Sequence, residues 1–375
     1  MPKVVLFCHS LRSDWNHGNA HFLRGVLNEC WCRGFEVLVL EPADGWSVRN
    51  LARDHGAAAV DAWREVYPPV PLVAYEAARL DLDRELDGSD LVLVHEWTEA
   101  EIVARVAAHR IAAASYLLLF HDTHHRIISA PEVIDRLKLD GFDGVLAFGE
   151  SLRELYSRRG WGKRAFTWHE AADLRVFGPR PEVARQRDLV WIGNWGDEER
   201  TAELREFLIE PVAALGFSAR VHGVRYPEAA LQTLADAGIE YAGYLPNFCV
   251  PEAFAAAAAT VHIPRRPYVR MLPGIPTIRV FEALSCGIPL VSAPWDDVEG
   301  LFTPGEDYLV ARNGAEMRGH LDAIRRDPVL AQALAQKGRA TIMARHSCAH
   351  RVDELLSICR ALGRDLCCPQ AAPAQ

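Results

Sequence analysis

Short apolar runs alternate with amphipathic segments along the 375 residues of the chain. In the first half the runs are VVLFCHS, FEVLVLEP, DLVLVHEW, YLLLFHD and GVLAFGE; in the second half they are DLVWIGN, SARVHGV, IEYAGYL, ATVHIPR, PLVSAP and YLVARN. The first-half runs are continuously apolar, as expected for strands buried on both faces of a parallel sheet. Helices between successive parallel strands would cover those faces. The alternation therefore predicts an α/β fold.

The length of the chain predicts two domains, because a single hydrophobic core rarely grows this large. The stretch FGPRPEVARQRD has two prolines and few apolar residues, and we interpret it as the linker. We predict domains at 1–178 and 182–345. The segment 346–366 contains an amphipathic helix with no strand after it, which needs an apolar surface to pack on. The last residues, 367–375, are expected to form a disordered tail.

Composition excludes several classes of protein. The formal net charge of −9 gives no electrostatic reason to expect a nucleic-acid partner. The amino terminus MPKVVLFCHS has no signal-peptide h-region after it, and the longest strongly apolar run, AFAAAAATV, is too short to span a bilayer. The nine cysteines are odd in number and lack zinc-site spacing. We therefore expect a cytoplasmic protein in a reducing compartment.

Many predicted strands end in polar residues, and three in the first half end near a histidine: His9, His95 and His121. Ligands of open α/β sheets bind outside the carboxyl ends of strands, and histidine is not a preferred turn residue. We therefore predict that His121 faces a substrate. The segment FHDTHHR also suggests a metal, but its spacing matches no zinc signature, so no metal site is predicted.

Motifs that would define other activities are absent. The loop SLRSDWNHGNAHFLRG lacks the glycine spacing of a dinucleotide site, and GWGKRAF lacks that of a Walker A loop. FGESLREL begins like a nucleophile elbow but has Arg153 in place of the second glycine. We interpret the basic segment SRRGWGKRAFTW as a solvated helix terminus, with a weak peripheral membrane contact as the alternative.

The stretch VHIPRRPYVRMLPGIPTIRVFE concentrates positive charge before one helix. A strand ends at Arg265 and Arg266, the next loop carries Arg270, and the helix opens with Thr277 and Arg279. Helix N-termini and arginines both bind phosphate groups. The stretch therefore predicts that four arginines converge on one diphosphate site.

Glu282, about one turn into the same helix, has two interpretations. It forms an exposed ion pair with Arg279, worth only about 0.2–0.5 kcal/mol, or it accepts hydrogen bonds from the hydroxyls of a sugar. A surface ion pair would leave the other three arginines unexplained, so we favour the ligand.

With these residues the sequence resembles the second domain of GT-B glycosyltransferases, and most of all the branch similar to the spore maturation protein CgeB, within the family 4-like group. RVFEALSCGIPLVSAP…LFTPGEDYLV is similar to that branch's glutamate helix, Cys-Gly turn, strand and Phe-x-Pro-Gly-x-(Glu/Asp) segment. The similarity extends to YAGYLPNFCVPEAFAAAAATVHIPRR and VWIGNWGDEER, and more weakly to NHGNAHFLRGVL and WHEAADLRVFGP. It touches most of the chain.

The resemblance implies two Rossmann-like domains with parallel sheets that face each other across a cleft, and a C-terminal helix that crosses back to the first domain. The second domain would bind a nucleotide-diphosphate sugar, and the first an acceptor: a glycan, a lipid or a small molecule. No cofactor is implied. The donor-binding residues would be Gly18, Asn19, Gly193, Asn194, Arg265, Arg270, Thr277, Arg279 and Glu282.

One position departs from the family pattern. Many relatives carry a second glutamate eight residues before the ribose-binding one, and here that position is Gly274. The departure puts in doubt a double-glutamate, retaining mechanism. An inverting reaction would need a base near the acceptor hydroxyl, for which His121, Asp122 and His169 are the candidates.

We therefore predict a hexosyltransferase-like enzyme that moves a sugar from a nucleotide-diphosphate donor to an acceptor hydroxyl. Arginines and a helix dipole would stabilise the leaving diphosphate without a metal. The alternatives are a nucleotide-sugar epimerase of the same fold and a non-catalytic nucleotide-sugar-binding protein.

Overall fold

The computed structural model describes residues 1–113, 115–196 and 198–366, so the tail predicted at 367–375 lies outside the described residues. The chain divides into two compact units. Unit 1 comprises Met1–His169 and the C-terminal segment that begins at Cys348, and unit 2 comprises Glu170–Ser347. Each unit is built on one parallel sheet with helices between its strands.

Unit 1 contains a seven-stranded sheet with the order β3-β2-β1-β4-β5-β6-β7. Its strands are β1 (Lys3–Phe7), β2 (Glu36–Pro42), β3 (Leu72–Tyr75), β4 (Leu91–His95), β5 (Leu117–Asp122), β6 (Gly144–Ala147) and β7 (Ala165–Thr167). Strands β4 and β5 are buried along their whole length, which explains their continuously apolar sequences. The strand order reverses between β1 and β4, the position at which open α/β sheets bind ligands.

The helices of unit 1, numbered in chain order, are α1 (Ala20–Cys32), α2 (Trp46–His55), α3 (Ala57–Asp61), α4 (Leu82–Glu85), α5 (Ala100–Ala113), α6 (Arg126–Ser129), α7 (Pro131–Asp135), α8 (Glu150–Tyr156) and α17 (Cys348–Ala361). Short 3₁₀ or π turns lie at Ala62–Glu65, Ala77–Arg79, Leu139–Gly141, Ser157–Trp161 and Gly162–Arg164. The chain leaves β1 toward one edge of the sheet and β6 toward the other. Right-handed crossovers therefore place α1 and α8 on opposite faces.

Helix α17 returns the chain to unit 1. Its buried apolar side chains are Cys348, Val352, Leu355, Ile358 and Cys359. Trp168 Nε1 donates a hydrogen bond to the carbonyl of Arg351 (2.8 Å), and Arg364, just after the helix, pairs with Asp90 (2.6 Å). The amphipathic helix that has no strand after it therefore packs on the first unit.

Unit 2 contains a six-stranded sheet with the order β10-β9-β8-β11-β12-β13. Its strands are β8 (Arg187–Ile192), β9 (Ala219–His222), β10 (Ile239–Gly243), β11 (Ala257–His262), β12 (Leu290–Ser292) and β13 (Leu309–Val310). Its helices are α9 (Thr201–Leu204), α10 (Glu210–Leu215), α11 (Glu228–Asp236), α12 (Val250–Ala255), α13 (Arg266–Arg270), α14 (Ile278–Cys286), α15 (Gly314–Arg326) and α16 (Pro328–Arg345), with short turns at Arg205–Ile209 and Asn247–Cys249. Within the described ranges, none of the helices has the length and apolar character needed to cross a membrane.

The prediction of two α/β units with parallel sheets is confirmed. Every apolar run identified in the sequence contains a strand. The boundary between the units differs from the predicted one, since the proline-rich stretch belongs to unit 2. The reason is hydrogen bonding: Ala172 N donates to the carbonyl of His346 (3.1 Å), and Gln186 N donates to that of Ala256 (2.8 Å).

Candidate functional site

The first turn of α14 has the geometry of an anion site. Thr277, the residue before the helix, has an extended backbone (φ −80°, ψ 160°), and its side chain makes no capping hydrogen bond. The Thr277 hydroxyl therefore does not cap the first amides of α14, which lie at the positive end of the helix dipole. Helix N-termini of this kind bind phosphate groups.

Arg279 and Glu282 form the ion pair that the sequence allowed, but not on a solvated face. The Arg279 side chain is 16% exposed and that of Glu282 is 0% exposed. Removing two charges from water is costly unless other groups also bond to them. The pair is therefore not a surface ion pair. It places a buried carboxylate about one turn from the first amides of α14.

The remaining arginines are arranged differently from the predicted convergence. Arg265 pairs with Glu199 (2.6 Å) and Arg266 pairs with Glu203 (2.7 Å). Arg270, at the end of α13, is exposed. Together with Arg279, three of the four predicted cations are thus already paired with carboxylates.

Arg200 is a cation that sequence reasoning missed. Its guanidinium donates hydrogen bonds to the carbonyls of Asn194 (2.6 Å) and Ile263 (3.1 Å). No carboxylate of the described chain forms an ion pair with it, and its Nε is buried without a hydrogen-bond partner there. Burial, followed by the positive charges of Arg265 and Arg279, lowers the pKa of Arg200 to about 9.

Arg200, Arg265 and Arg279 therefore lie within electrostatic reach of one another, at the carboxyl edge of the unit 2 sheet. His222, the last residue of β9, belongs to the same edge. Burial lowers the pKa of His222 to about 4, and the charges of Arg220 and Arg279 act in the same direction. Arg265 and Arg279 have carboxylate partners, so Arg200 is the cation whose charge a bound anion would compensate.

The predicted turn Gly193–Asn194 follows β8 directly and is fixed by the loop after β9. Gly193 N donates to the carbonyl of His222 (2.9 Å), and Asn194 Oδ1 accepts from Val224 N (3.0 Å). A Cβ at Gly223 would lie 2.1 Å from the carbonyl oxygen of Gly193, so only glycine permits this approach. These contacts therefore hold the backbone of the Gly193–Asn194 turn in a fixed conformation.

Gly274 has a structural reason to be glycine. Its φ is +88°, and a Cβ there would lie 2.7 Å from Cγ2 of Val298. Its amide donates to the carbonyl of Asp296 (2.8 Å), which holds the loop before α14 in place. The glutamate that many relatives carry at this position would require a different backbone.

The predicted residues of unit 1 lie in three places. Gly18 and Asn19 are half-buried at the end of the loop between β1 and α1, and Asn19 directly precedes the helix with φ −67° and ψ −14°. His121 and Asp122 end β5. His169 is half-buried at the end of unit 1, two residues after β7.

His121 and Asp122 point to opposite faces of the sheet, because successive side chains of a strand alternate. The His121 ring contacts Phe22 on α1, with 5.7 Å between ring centroids, and Trp168 at 4.8 Å. Asp122 instead accepts a hydrogen bond from the hydroxyl of Tyr156 on α8 (2.6 Å). The two predicted catalytic residues therefore belong to two different environments.

On the Asp122 side lies a buried polar network. Glu96 pairs with Arg126 (2.5 Å), whose guanidinium lies 3.9 Å from the centroid of the Trp97 ring. Burial raises the pKa of both Glu96 and Asp122. The Asp122 carboxyl is thus engaged inside the unit and is poorly placed to take a proton from a substrate.

On the other side four histidines, His9, His17, His95 and His121, form a cluster that we name the histidine cluster. Ring centroids are 4.0 Å apart for His9 and His17, 5.9 Å for His17 and His95, and 5.3 Å for His95 and His121. Burial lowers the pKa of His9 and His121 to about 3 and also lowers those of His17 and His95. All four imidazoles are therefore neutral at neutral pH. Within the described part of the chain, no three His, Cys, Asp or Glu side chains form a group able to hold a metal ion.

Sequence comparison gives one family match. Residues 200–357, which include most of unit 2 and part of α17, match the family Glyco_trans_1_2, described as glycosyl transferase-like. No curated protein has a significantly similar sequence.

Solved structures match this fold over nearly the whole chain. HepE from Anabaena, in complex with UDP and glucose, is 14% identical with a TM-score of 0.69 over 96% of this chain and 100% of its own. Sucrose-phosphate synthase from Thermosynechococcus elongatus is 14% identical with a TM-score of 0.66 over 97% of this chain and 99% of its own. T4 phage BGT, in complex with UDP and Mn²⁺, is 12% identical with a TM-score of 0.62 over 96% of this chain and 99% of its own.

At these identities the structural matches establish the fold. The predicted GT-B fold class is therefore confirmed. The family match over residues 200–357, described as glycosyl transferase-like, supports the predicted enzyme class, a glycosyltransferase.

Proposed function

We propose that the protein transfers a sugar from a nucleotide-diphosphate sugar, bound by unit 2, to an acceptor hydroxyl, without a metal ion. The observation that carries the proposal is Arg200, a largely buried cation with no carboxylate partner in the described chain, in the field of Arg265 and Arg279. An anionic ligand would compensate the charge of Arg200, since Arg265 and Arg279 already pair with Glu199 and Glu282. HepE has been solved in complex with UDP-glucose, which supports a donor of this chemistry.

In this proposal the diphosphate binds Arg200, Arg265 and Arg279 together with the first amides of α14. Negative charge grows on the diphosphate as the glycosyl–phosphate bond breaks, and fixed cations stabilise it without reorganisation. Glu282 accepts hydrogen bonds from the ribose hydroxyls. The Gly193–Asn194 turn supplies backbone groups beside the phosphates.

Of the three candidate bases, His169 fits best. Asp122 is engaged by Tyr156, and burial lowers the pKa of His121 to about 3, which makes it a weak base. His169 is half-buried and lies at the end of unit 1. We therefore propose His169 as the group that accepts the proton of the acceptor hydroxyl.

We also propose, from the sequence features given above, that the protein belongs to the CgeB-like branch and is located in the cytoplasm. An epimerase and a non-catalytic binding protein are not favoured. Incubation of the protein with a nucleotide sugar and no acceptor separates the first of these: an epimerised nucleotide sugar as product would contradict transfer.

The donor site is tested by changing Arg200. Arg200→Gln should weaken the binding of nucleoside diphosphates by about 1.5–3 kcal/mol, the scale of a hydrogen bond to a charged group. Isothermal titration calorimetry with UDP, ADP and GDP measures the loss. The control is Arg187→Gln at the opposite end of β8, where Arg187 pairs with Glu240 near the surface (2.7 Å). Equal affinities in the Arg200 variant and the parent protein would contradict the proposal.

Metal independence has its own test. Donor hydrolysis or transfer should survive treatment with EDTA, because arginines and a helix N-terminus stabilise the diphosphate. The test is needed because T4 phage BGT, which has a similar fold, was solved in complex with UDP and Mn²⁺. Activity that is lost on chelation and restored by Mg²⁺ or Mn²⁺ would contradict the proposal.

A further inference from the structure

Unit 1 contains a group of buried polar atoms without partners. Both ring nitrogens of His9, and Nε2 of His17 and of His121, have no hydrogen-bond partner in the described chain. The three residues are 3%, 5% and 1% exposed. Most buried polar atoms of folded proteins are hydrogen-bonded, so several exceptions in one place call for an explanation.

The position of these histidines in the fold is that of a ligand site. His9 follows β1, and His95 ends the neighbouring strand β4, so both lie at the point where the strand order reverses. The pairing of β4 with β5 brings His95 opposite His121. Open α/β sheets bind ligands at this point of the carboxyl edge.

The histidine cluster presents no net charge. The nearby Glu96 pairs with Arg126 (2.5 Å), and Asp14, in the same loop as His17, pairs with Arg24 (2.8 Å). Because burial lowers the pKa of the histidines, their imidazoles are neutral at neutral pH. The site therefore offers donors and acceptors without attracting an ion.

Two tryptophans accompany the cluster. The Trp46 ring stacks on His9 with 5.2 Å between centroids and 6° between planes, and Trp97 approaches His9 edge-on at 6.2 Å. Both tryptophans are half-buried. Large aromatic surfaces beside a few polar atoms are typical of sites for small ligands that have both apolar and polar faces.

We infer that the histidine cluster, with Trp46 and Trp97, binds a neutral, hydroxyl-rich ring, which is the sugar unit of the acceptor. A hydroxyl group both donates and accepts a hydrogen bond, and a neutral imidazole does the same through its two nitrogens. An aliphatic chain has no such groups, and an anionic ring would bring a charge that the neutral imidazoles do not compensate. The inference rests on the proposed function, because it names the chemical class of the acceptor in that reaction.

Tryptophan fluorescence provides the test, since two tryptophans contact the cluster. The full-length protein is titrated with glucose, maltose and cellobiose, with glucuronate as the anionic ring and octanol as the aliphatic probe. Each titration is repeated with UDP present, and UDP binding is measured separately by calorimetry. The variants are His9→Phe and His17→Phe, which keep a ring and remove its nitrogens. The control is His109→Phe, which removes an imidazole whose nitrogens already have partners in Tyr116 and Asp83.

At least one neutral saccharide should give a saturable change in tryptophan fluorescence. The affinity obtained from it should be at least fivefold weaker in the His9 and His17 variants and unchanged in the control. Circular dichroism checks folding, and if His9→Phe does not fold, His17→Phe decides. A protein that binds UDP but no neutral saccharide would overturn this inference and leave the proposed function standing. Saccharide binding without UDP, ADP or GDP binding would overturn the proposed function instead. Binding that both variants retain would mean that the imidazoles bond only to water, and would also overturn the inference.

Discussion

At the scale of single residues, the Arg279–Glu282 pair links the fold to the proposed chemistry. A fully buried carboxylate is tolerated because a cation three residues earlier in the same helix compensates it. A diphosphate at the N-terminus of α14 would compete for Arg279. Glu282 would then lose part of its compensation and become a stronger acceptor for ribose hydroxyls. In the proposed function, Arg279 would therefore compensate Glu282 only until the donor binds.

Glu282→Gln should weaken the binding of nucleoside diphosphates and nucleotide sugars equally, by about 1.5–3 kcal/mol, because both ligands contain the ribose. It should also lower the free energy of unfolding, since it leaves Arg279 without its buried partner. Titration calorimetry and urea unfolding measure the two effects. Glu252→Gln is the matched control, because Glu252 pairs with Arg180 nearer the surface of the same unit (3.0 Å). Unchanged ligand affinity in Glu282→Gln would remove Glu282 from the donor site.

Sequence reasoning found Thr277, Arg279 and Glu282 because all three belong to one helix and its cap. It missed Arg200, which lies in the run GDEER, because a charged run of this kind is typical of a solvated loop. Its partners are carbonyls after β8 and β11, and only the strand order of the sheet brings these two segments together. The same limit applies to His17, whose neighbours in the cluster come from three separate strand ends.

At the scale of elements, the sequence predicted every strand except β3 and β7. These two strands are the edges of the unit 1 sheet, and both are short and only partly buried. An edge strand has fewer apolar neighbours, so its sequence carries a weaker apolar signal. The proline-rich stretch does not separate the two units, because its backbone forms hydrogen bonds with unit 2. The prolines in the sequence do not predict those bonds.

The helix that carries Glu282 is positioned by a close contact with α16. A Cβ at Gly338 in α16 would lie 2.7 Å from Cδ2 of Leu284 in α14 and 2.8 Å from the carbonyl oxygen of Asp307. The two helices therefore approach each other at a distance that only glycine allows. The position of α14, and with it the carboxylate of Glu282, depends on this contact.

Gly338→Ala should destabilise the protein by about 1–3 kcal/mol, the cost of overpacking a tight contact. It should also weaken nucleoside diphosphate binding, because it displaces α14. Gly319→Ala in α15 is the control, since a Cβ there has no atom within 4 Å. That change should stabilise by about 0.5–1 kcal/mol through helix propensity. Chemical unfolding and calorimetry compare the two; a neutral Gly338→Ala would contradict the role given to this contact.

At the scale of the whole molecule, buried neutral histidines make stability depend on pH. Burial lowers the pKa of His9, His121 and His262 to about 3 in the folded protein, whereas an exposed histidine titrates near 6.5. The unfolded chain therefore binds more protons below about pH 6.5. Glu96 and Asp122 act in the opposite direction, because their raised pKa values let the folded protein hold protons that the unfolded chain releases above about pH 4.

The free energy of unfolding should therefore fall as pH is lowered from 6.5, by up to about 1.4 kcal/mol per pH unit for each such histidine. The fall should steepen below about pH 4, where the two carboxyls no longer offset it. Urea unfolding at pH 7.5, 5.5, 4.5 and 3.5 measures the slope, and His9→Phe should make it shallower. A stability that does not change between pH 6.5 and 3.5 would contradict the buried, neutral state of these histidines.

The last prediction concerns α17, which completes unit 1 from the far end of the chain. Deletion from residue 348 removes buried apolar side chains that include Val352, Leu355 and Ile358, each worth about 1.5–3 kcal/mol. The sum is comparable with the whole stability of a domain, about 5–15 kcal/mol. Unit 1 of the truncated protein should therefore lose cooperative unfolding and expose apolar surface, measured by dye binding and chemical unfolding. Unit 2 contains Arg200, Arg265, Arg279 and Glu282 and no part of α17, so binding of nucleoside diphosphates by unit 2 should survive. A control deletion of 367–375 leaves α17 in place and should behave like the parent protein. A chain truncated at 348 that unfolds as cooperatively as the full chain would show that α17 does not complete unit 1.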